Sequence, residues 1–370
     1  MASRPIPMIE LEAEHAEYFD ELRDAVEAVL RHGQFILGPE VKAFEEECAA
    51  YLGCRHAVGV NSGTDALVLA LRALGVGPGD EVVTTPFTFF ATAESISAVG
   101  ATPVFADIEP VTMNISIDAM TAAMTPRTKA LIPVHLFGQP CDIDAIEAVG
   151  RDRGVPIVED TAQAFGARYG ERCVGAIGAA GAFSFFPSKT LGGLGDGGLV
   201  TTNDDDIADR IRMLRFHGSR RKYFNEEIGY NSRLDTIQAA ALRVKLRRLD
   251  DANKQRCRVA ERYEALLGSA DGVTTPATAP GRSHVFHQYT VRIAGGRRDA
   301  VAAALADDQI ASMIYYPVPV HRLPVYESLG ASCPVAEAAA AEVLSLPISP
   351  AMNDDAVEAV AAAVLAAVTA

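Results

Sequence analysis

Lys189 stands in AFSFFPSKTLGGLGDGGLV (182–200), between an aromatic, apolar run and a glycine-rich loop. A lysine amine forms Schiff bases with carbonyl compounds once desolvation or nearby cations lower its pKa, and an apolar approach to the residue favours that desolvation. Earlier in the chain, IVEDTAQAFGA (157–167) delivers Asp160 and, three residues on, Gln163 at the end of a β-rich run. A carboxylate brought there needs a partner, because an unpaired buried charge is costly, and a protonated heterocycle nitrogen would serve. The same acid is also suited to capping the following helix. In VNSGTDALVLAL (60–71), Ser62, Gly63 and Thr64 open an amphipathic helix, whose free amides and dipole attract phosphate while glycine allows close approach. The pattern is equally that of an ordinary N-cap by Ser62 or Thr64.

The set narrows these alternatives. With the aromatic stretch TTPFTFFAT (84–92), one α/β region holds a phosphate anchor, a stacking ring, a carboxylate and a lysine. Those are the parts a pyridoxal phosphate site requires. GGLGDGG precedes a strand in mid-chain, whereas a dinucleotide fingerprint joins a first strand to a helix. GxxxxGK[ST], HExxH and GxSxG are absent, so P-loop, zincin and α/β-hydrolase chemistry lack their key residues.

These residues must be positioned by alternating elements. β-Rich runs recur at 81–85, 102–107, 129–137, 155–160, 181–186 and 197–202, with helical spacing at 62–74, 90–99, 142–152 and 204–216 between most of them. Alternation of this kind predicts a mostly parallel sheet wrapped by helices. Residues 18–30 predict a further amphipathic helix, and 234–267, free of Gly and Pro, predict a long connecting helix, straight or bent. A Gly-, Pro-, Ser- and Thr-rich loop follows, then a strand at 288–294 and helices near 297–307, 335–344 and 355–368, which read as a small α+β domain. The expected division is a large α/β domain with an N-terminal arm over 1–250 and a small domain over 251–370.

The 370 residues are 49% hydrophobic and 22% charged, a globular balance. A net charge of −15 disfavours nucleic acid and anionic lipid, although 210–262 holds 15 of the 33 Lys and Arg against six Asp and Glu. Such a stretch suits a phosphorylated small molecule, or else a solvated basic helix face. Cysteines 48, 54, 141, 173, 257 and 333 form no CxxC pair and have no His at ligand spacing, so neither a metal site nor a disulfide framework is expected. With neither a signal-like N-terminus nor a membrane-spanning apolar run, a cytoplasmic enzyme is expected.

Nearly end to end, the chain resembles the DegT/DnrJ/EryC1/StrS family of pyridoxal-phosphate-dependent nucleotide-sugar aminotransferases. The resemblance runs through HGQFILGPEVKAFEEE, NSGTDAL, TTPFTFFAT, TPRTKALIPVHLFGQP, VEDTAQAFGA, FSFFPSKTLG, GDGGLVTT, GYNSRLDTIQAA and YYPVPVH. It implies the aspartate aminotransferase (type I) fold, with a large, mostly parallel sheet domain and a small α+β C-terminal domain.

By position, Lys189 resembles the cofactor-linked lysine and Asp160 the partner of the pyridinium nitrogen. Gln163 resembles the residue beside the ring oxygen, and Phe89 the ring that stacks on the cofactor. Gly63, Thr64 and Ser184 are similar to phosphate ligands. Asn231 corresponds to a residue that reaches the phosphate from the neighbouring subunit, which implies a homodimer with shared sites; Arg233 would contact an acidic substrate group. Tyr315, Tyr316 and His321 fall where relatives line the sugar pocket. The implied reaction is ping-pong transamination from glutamate to a nucleotide-linked keto sugar. UDP-2-acetamido-3-keto-glucuronate is the first expectation for the acceptor; a dTDP-3-keto- or 4-keto-6-deoxyhexose is an alternative, as is a non-catalytic regulator with the same fold.

Overall fold

The computed structural model describes residues 5–369. Its larger sheet is built from β1 (His56–Val60), β2 (Glu81–Thr84), β3 (Thr102–Phe105), β4 (Thr128–Ile132), β5 (Val158–Asp160), β6 (Ala180–Ser184) and β7 (Gly198–Thr202). β2 pairs in parallel with β3 and β4, and β5 with β6, whereas β7 runs antiparallel between β6 and β1. Parallel bridges Leu131–Ile157 and Val134–Asp160 join β4 to β5, giving the order β3-β2-β4-β5-β6-β7-β1.

β1 is absent from the predicted runs. Its sequence, HAVGV, carries Gly59, which weakens the β signature, yet a Cβ there would lie 3.0 Å from Leu234 Cβ. Close packing of Leu234 therefore favours the glycine.

Helix Gly63–Ala73 is sandwiched against β6 and β7 and against helices Ala91–Ala98 and Asp205–Leu214. Residues Ala66 to Leu71 along it are all buried, so packing rather than propensity holds its N-terminus at the sheet.

The predicted long helix is two, Thr236–Leu246 and Leu249–Leu267. No Gly or Pro marks the break. Instead Arg247 and Arg248 donate side-chain N–H groups to the Arg243 and Val244 carbonyls, each at 3.1 Å, and so satisfy carbonyls at the first helix's end. Both arginines also pair with Glu21.

A second, antiparallel sheet, ordered β8-β9-β10, is formed by β8 (Val273–Thr274), β9 (Tyr289–Ile293) and β10 (Val343–Leu346). Tyr263, Val291, Leu344 and Val360 belong to its core. Leu249 belongs to a core of the large sheet, while Val259 and Leu267, further along the same helix, belong to this one.

The basic stretch 210–262 does not form one patch. Arg215 pairs with Glu45, Arg220 with Asp209 and Glu226, Arg243 with Glu47, Arg258 with Asp354 and Arg262 with Glu358. The cysteines are free thiols. Among the described residues no helix is long and apolar enough to cross a membrane, and no cluster of three or more His, Cys, Asp or Glu is placed to hold a metal ion.

Candidate active site

The ends of β5 and β6, the start of helix Gly63–Ala73 and the lysine-bearing turn meet at a cavity of about 410 Å³. Along β5 the side chains alternate faces, which separates two consecutive acids. Glu159 is fully buried and accepts N–H groups from Gly175, Ile177 and Gly178 at 2.8, 2.8 and 2.7 Å; His135 Nε2 lies 3.0 Å away.

Asp160 lines the cavity. Its Oδ2 accepts from Thr92 Oγ1 at 2.8 Å and its Oδ1 from the Ala162 amide at 3.2 Å. Burial raises its pKa above the ordinary carboxylate value, against the lowering effect of those two donors and of the Lys189 and His135 charges. Gln163 is fixed at both ends of its amide: Oε1 accepts from the Phe137 amide at 2.7 Å, and Nε2 donates to Tyr316 Oη at 2.9 Å.

Lys189 follows β6 on a turn closed by its own N–H to the Phe186 carbonyl at 2.8 Å. The chain then doubles back so tightly that a Cβ at Gly192 would lie 2.1 Å from the Pro187 carbonyl oxygen. Lys189 is half-buried and faces the cavity, and its Nζ lies 3.5 Å from His287 Nε2. Burial pushes its pKa down to about 8, with Asp160 working in the opposite direction. A lysine so shifted holds a useful fraction of nucleophilic neutral amine near neutrality.

At the helix start, Ser62 Oγ accepts from the Asp65 amide at 3.1 Å, which establishes the N-cap. The Gly63 and Thr64 amides lie in the first turn, where no helical carbonyl reaches them. A Cβ on Gly63 would lie 2.6 Å from Ser184 Cβ. The helix start thus packs against Ser184 at the end of β6, and free first-turn amides with a hydroxyl near the helix start are groups that could hold an anion. Phe89, 59% exposed, stands on the cavity wall.

Tyr315 and Tyr316 also line the cavity, but three predicted residues do not. Asn231 is exposed and accepts a hydrogen bond from Arg233 Nη2; the Arg233 guanidinium lies 5.6 Å from the Phe216 ring centroid, with Nε buried and unpartnered. His321 is turned away from the wall. Its ring is buried near Phe105, and its Nε2 lies 3.0 Å from Glu337 Oε1 on helix Pro334–Glu342.

Sequence reasoning missed Thr92, His287 and Gln288, all of which face the cavity. Thr88 and Thr92, spaced i,i+4 with hydroxyls 2.9 Å apart, offered a signal that the aromatic reading of TTPFTFFAT passed over. HVFHQY holds no motif that would single out His287.

Residues 17–365 match the profile of the DegT/DnrJ/EryC1/StrS aminotransferase family. The chain is 49% identical to the "Pleiotropic regulatory protein" of Geobacillus stearothermophilus, with 95% of each covered. It is 47% identical to the dTDP-3-amino-3,4,6-trideoxy-alpha-D-glucose transaminase of Streptomyces venezuelae, covering 93% of this chain and 91% of the relative. Identity is 46% with the UDP-N-acetyl-3-dehydro-alpha-D-glucosamine 3-aminotransferase of Acidithiobacillus ferrooxidans, covering 95% and 94%. Among solved structures, S. venezuelae DesV in complex with a ketimine intermediate superimposes with a TM-score of 0.96 at 45% identity over 100% of both chains.

Proposed function

The chain belongs to the DegT/DnrJ/EryC1/StrS aminotransferase family, and from that premise we propose that it moves an amino group from glutamate to C3 of a nucleotide-linked 3-keto sugar, with UDP-2-acetamido-3-keto-glucuronate as acceptor. It is a pyridoxal-phosphate-dependent sugar aminotransferase with the aspartate aminotransferase fold.

The cavity suits that cofactor on its own chemistry. The Gly63 and Thr64 amides and the Ser184 hydroxyl form a cradle for the phosphate, and Asp160 presents a buried carboxylate that a pyridinium N–H would complete. Bound there, the cofactor supplies an electron sink for charge developing at the donor α-carbon. The protein's part is to bind, orient and handle protons. Thr92 and Ala162 keep Asp160 oriented and favour its ionised form. Gln163, held in place by the Phe137 amide and Tyr316, would contact the cofactor's ring oxygen, and Phe89 on the cavity wall would stack on its ring. Lys189 Nζ, with its pKa near 8, both attaches the cofactor and, once free, takes and returns a proton near neutral pH. The observation that carries this reading is that sheltered amine sharing a cavity with Asp160.

Homodimerisation with shared sites is supported by the position of Asn231 and Arg233 outside their own cavity. Phe35, Ile36, Phe186 and Leu194 are exposed apolar residues that a second copy would cover. A glucuronate acceptor is supported by a 42% identical relative named as a UDP-2-acetamido-2-deoxy-3-oxo-D-glucuronate aminotransferase, and Arg233, if it reaches that copy's cavity, would receive the sugar carboxylate. Amination at C3 is supported by two relatives whose names place nitrogen chemistry there, one on a dTDP sugar and one on a UDP sugar. Six free thiols suit a reducing cytoplasm.

A regulatory role within the same fold is the second reading, suggested by the name of the 49% identical relative. One experiment addresses both. The absorbance of purified holoprotein is recorded before and after glutamate, and each keto sugar is then added with product mass as the readout. Conversion of the visible band followed by amination of the UDP-linked 3-keto uronate supports the proposal. Amination of only a dTDP-linked or 4-keto sugar overturns the acceptor, and a spectrum unmoved by glutamate favours the regulator.

A further inference from the structure

Among the described residues, the one side-chain polar atom within hydrogen-bond reach of Lys189 Nζ is His287 Nε2, at 3.5 Å. His287 comes from the segment leading into β9 and is 5% exposed. Its backbone is clamped to the turn at Leu136–Gly138: the Val285 amide donates to the Gly138 carbonyl at 3.0 Å and the Gln288 amide to the Phe137 carbonyl at 3.4 Å. Gly138, at φ +105°, is required there, since a Cβ would lie 2.8 Å from Val285 Cγ2 and 3.1 Å from the His287 nitrogen. The Phe137 amide in turn holds Gln163 Oε1 at 2.7 Å. One short turn therefore fixes a residue beside the cofactor site on one side and His287 on the other.

Two donors bracket the same ring nitrogen, because Gln288 Nε2 also lies 3.5 Å from His287 Nε2. A nitrogen flanked by an amide N–H and an amine is placed to accept. Burial, with the Lys189 and Arg256 charges, keeps the ring well below its ordinary pKa and hence neutral. We infer that His287 is a positioning residue for Lys189, its Nε2 accepting the hydrogen bond of the free lysine ammonium and holding that amine inside the cavity. This deepens the transaminase reading and rests on it. In this hydrogen bond the proton remains on Nζ and is not passed to His287.

The other charged or titratable groups facing this pair are Asp160 from β5, Asp196 from the glycine-rich loop, Tyr315 and Tyr316 from the opposite wall, and Arg256 from helix Leu249–Leu267. All are retained in the variants below.

The test reads the amine without the cofactor. Trinitrobenzenesulfonate modification of Lys189 in apoprotein, located by peptide mass, is followed against pH. The wild-type midpoint is expected near 8. His287→Phe keeps a ring but removes the acceptor, so the ammonium loses a stabilising hydrogen bond and the midpoint falls by about one pH unit. His287→Gln, which restores an acceptor, is expected to recover most of that shift. In holoprotein, single-turnover conversion by glutamate should slow roughly tenfold in His287→Phe with an unchanged donor KM, and recover in His287→Gln.

An unchanged midpoint in a His287→Phe protein with native circular dichroism overturns the inference. So does a His287→Gln variant no better than His287→Phe in a folded state. A wild-type rate profile with an extra limb that both variants lose would make His287 the proton acceptor instead. Borohydride reduction of holoprotein keeps the two readings apart: label absent from Lys189 sinks the transaminase assignment, whereas the apoprotein titration bears on His287 alone.

Discussion

Thr92 donates its hydroxyl to Asp160 Oδ2 at 2.8 Å, joining the first turn of helix Ala91–Ala98 to the end of β5. Because that proton is committed, Thr88 Oγ1, 2.9 Å behind it, is the donor to Thr92. The buried carboxylate is thus held by a chain of two hydroxyls as well as by the Ala162 amide.

Replacing Thr92 with valine keeps the shape and removes the donor. The Asp160 pKa is already raised, and catalysis needs the ionised form, so activity is lost as pH falls through that pKa. Losing a donor that lowers it shifts this acid limb to higher pH. The expected result in a pH–rate profile is that displacement together with a fall of about tenfold in kcat at neutral pH, as hydrogen bonds to charged groups are worth about 1.5–3 kcal/mol.

Capture of pyridoxal phosphate by apoprotein follows the neutral fraction of Lys189. With its pKa lowered to about 8, the initial capture rate should rise with pH below that value and level off above it. Stopped-flow absorbance measures this directly. Lys189→Ala should still bind the cofactor through the phosphate cradle, yet borohydride should leave no covalent adduct.

Gly63→Ala tests the cradle. The new Cβ would lie 2.6 Å from that of Ser184, so either the helix start or the β6 end must shift. The cost of such overpacking is typically 1–3 kcal/mol, which predicts cofactor affinity weakened by about tenfold or more in equilibrium dialysis. Unchanged affinity would mean that the phosphate is held elsewhere.

Glu159 supports the site from the other face of β5. Its carboxylate gathers three backbone amides and His135, and these partners hold its pKa below the ordinary value despite burial. A lowered carboxyl pKa stabilises the fold above the unfolded-state value, and that stability is lost as pH falls through the folded one. Glu159→Gln removes the charge, so denaturant unfolding at pH 7 should show a loss of about 3 kcal/mol. The difference from wild type should shrink toward acid pH.

Subunit mixing tests the shared site. Lys189→Ala and Asn231→Ala homodimers should each be nearly inactive, but dissociated and reassembled together they form mixed dimers in which one site keeps both residues. Recovery to about a quarter of wild-type activity is expected from random pairing. No recovery would place Asn231 outside the partner's site.

Much of this was legible because the chemistry is local. Lys189 after an aromatic strand, Asp160 and Gln163 at a strand end, and Ser62–Gly63–Thr64 at a helix start each declare themselves within a dozen residues, where side-chain period and turn chemistry act. β1 escaped because a glycine chosen for packing against Leu234 erased its β signature. The break after Leu246 escaped because arginine side chains, not Gly or Pro, satisfy the carbonyls there.

By itself the sequence determined the inventory: a lysine, a carboxylate, an amide and an anion cradle, on alternating strands and helices. Tertiary structure alone decided which of them meet. It brought Thr92 to Asp160 and His287 to Lys189, turned His321 toward Glu337, and left Asn231 and Arg233 outside their own cavity. The physical reason is that periodicity and propensity act over one element, whereas contacts between residues tens to hundreds of positions apart are set by how whole elements bury their apolar faces, and no local signal encodes that packing.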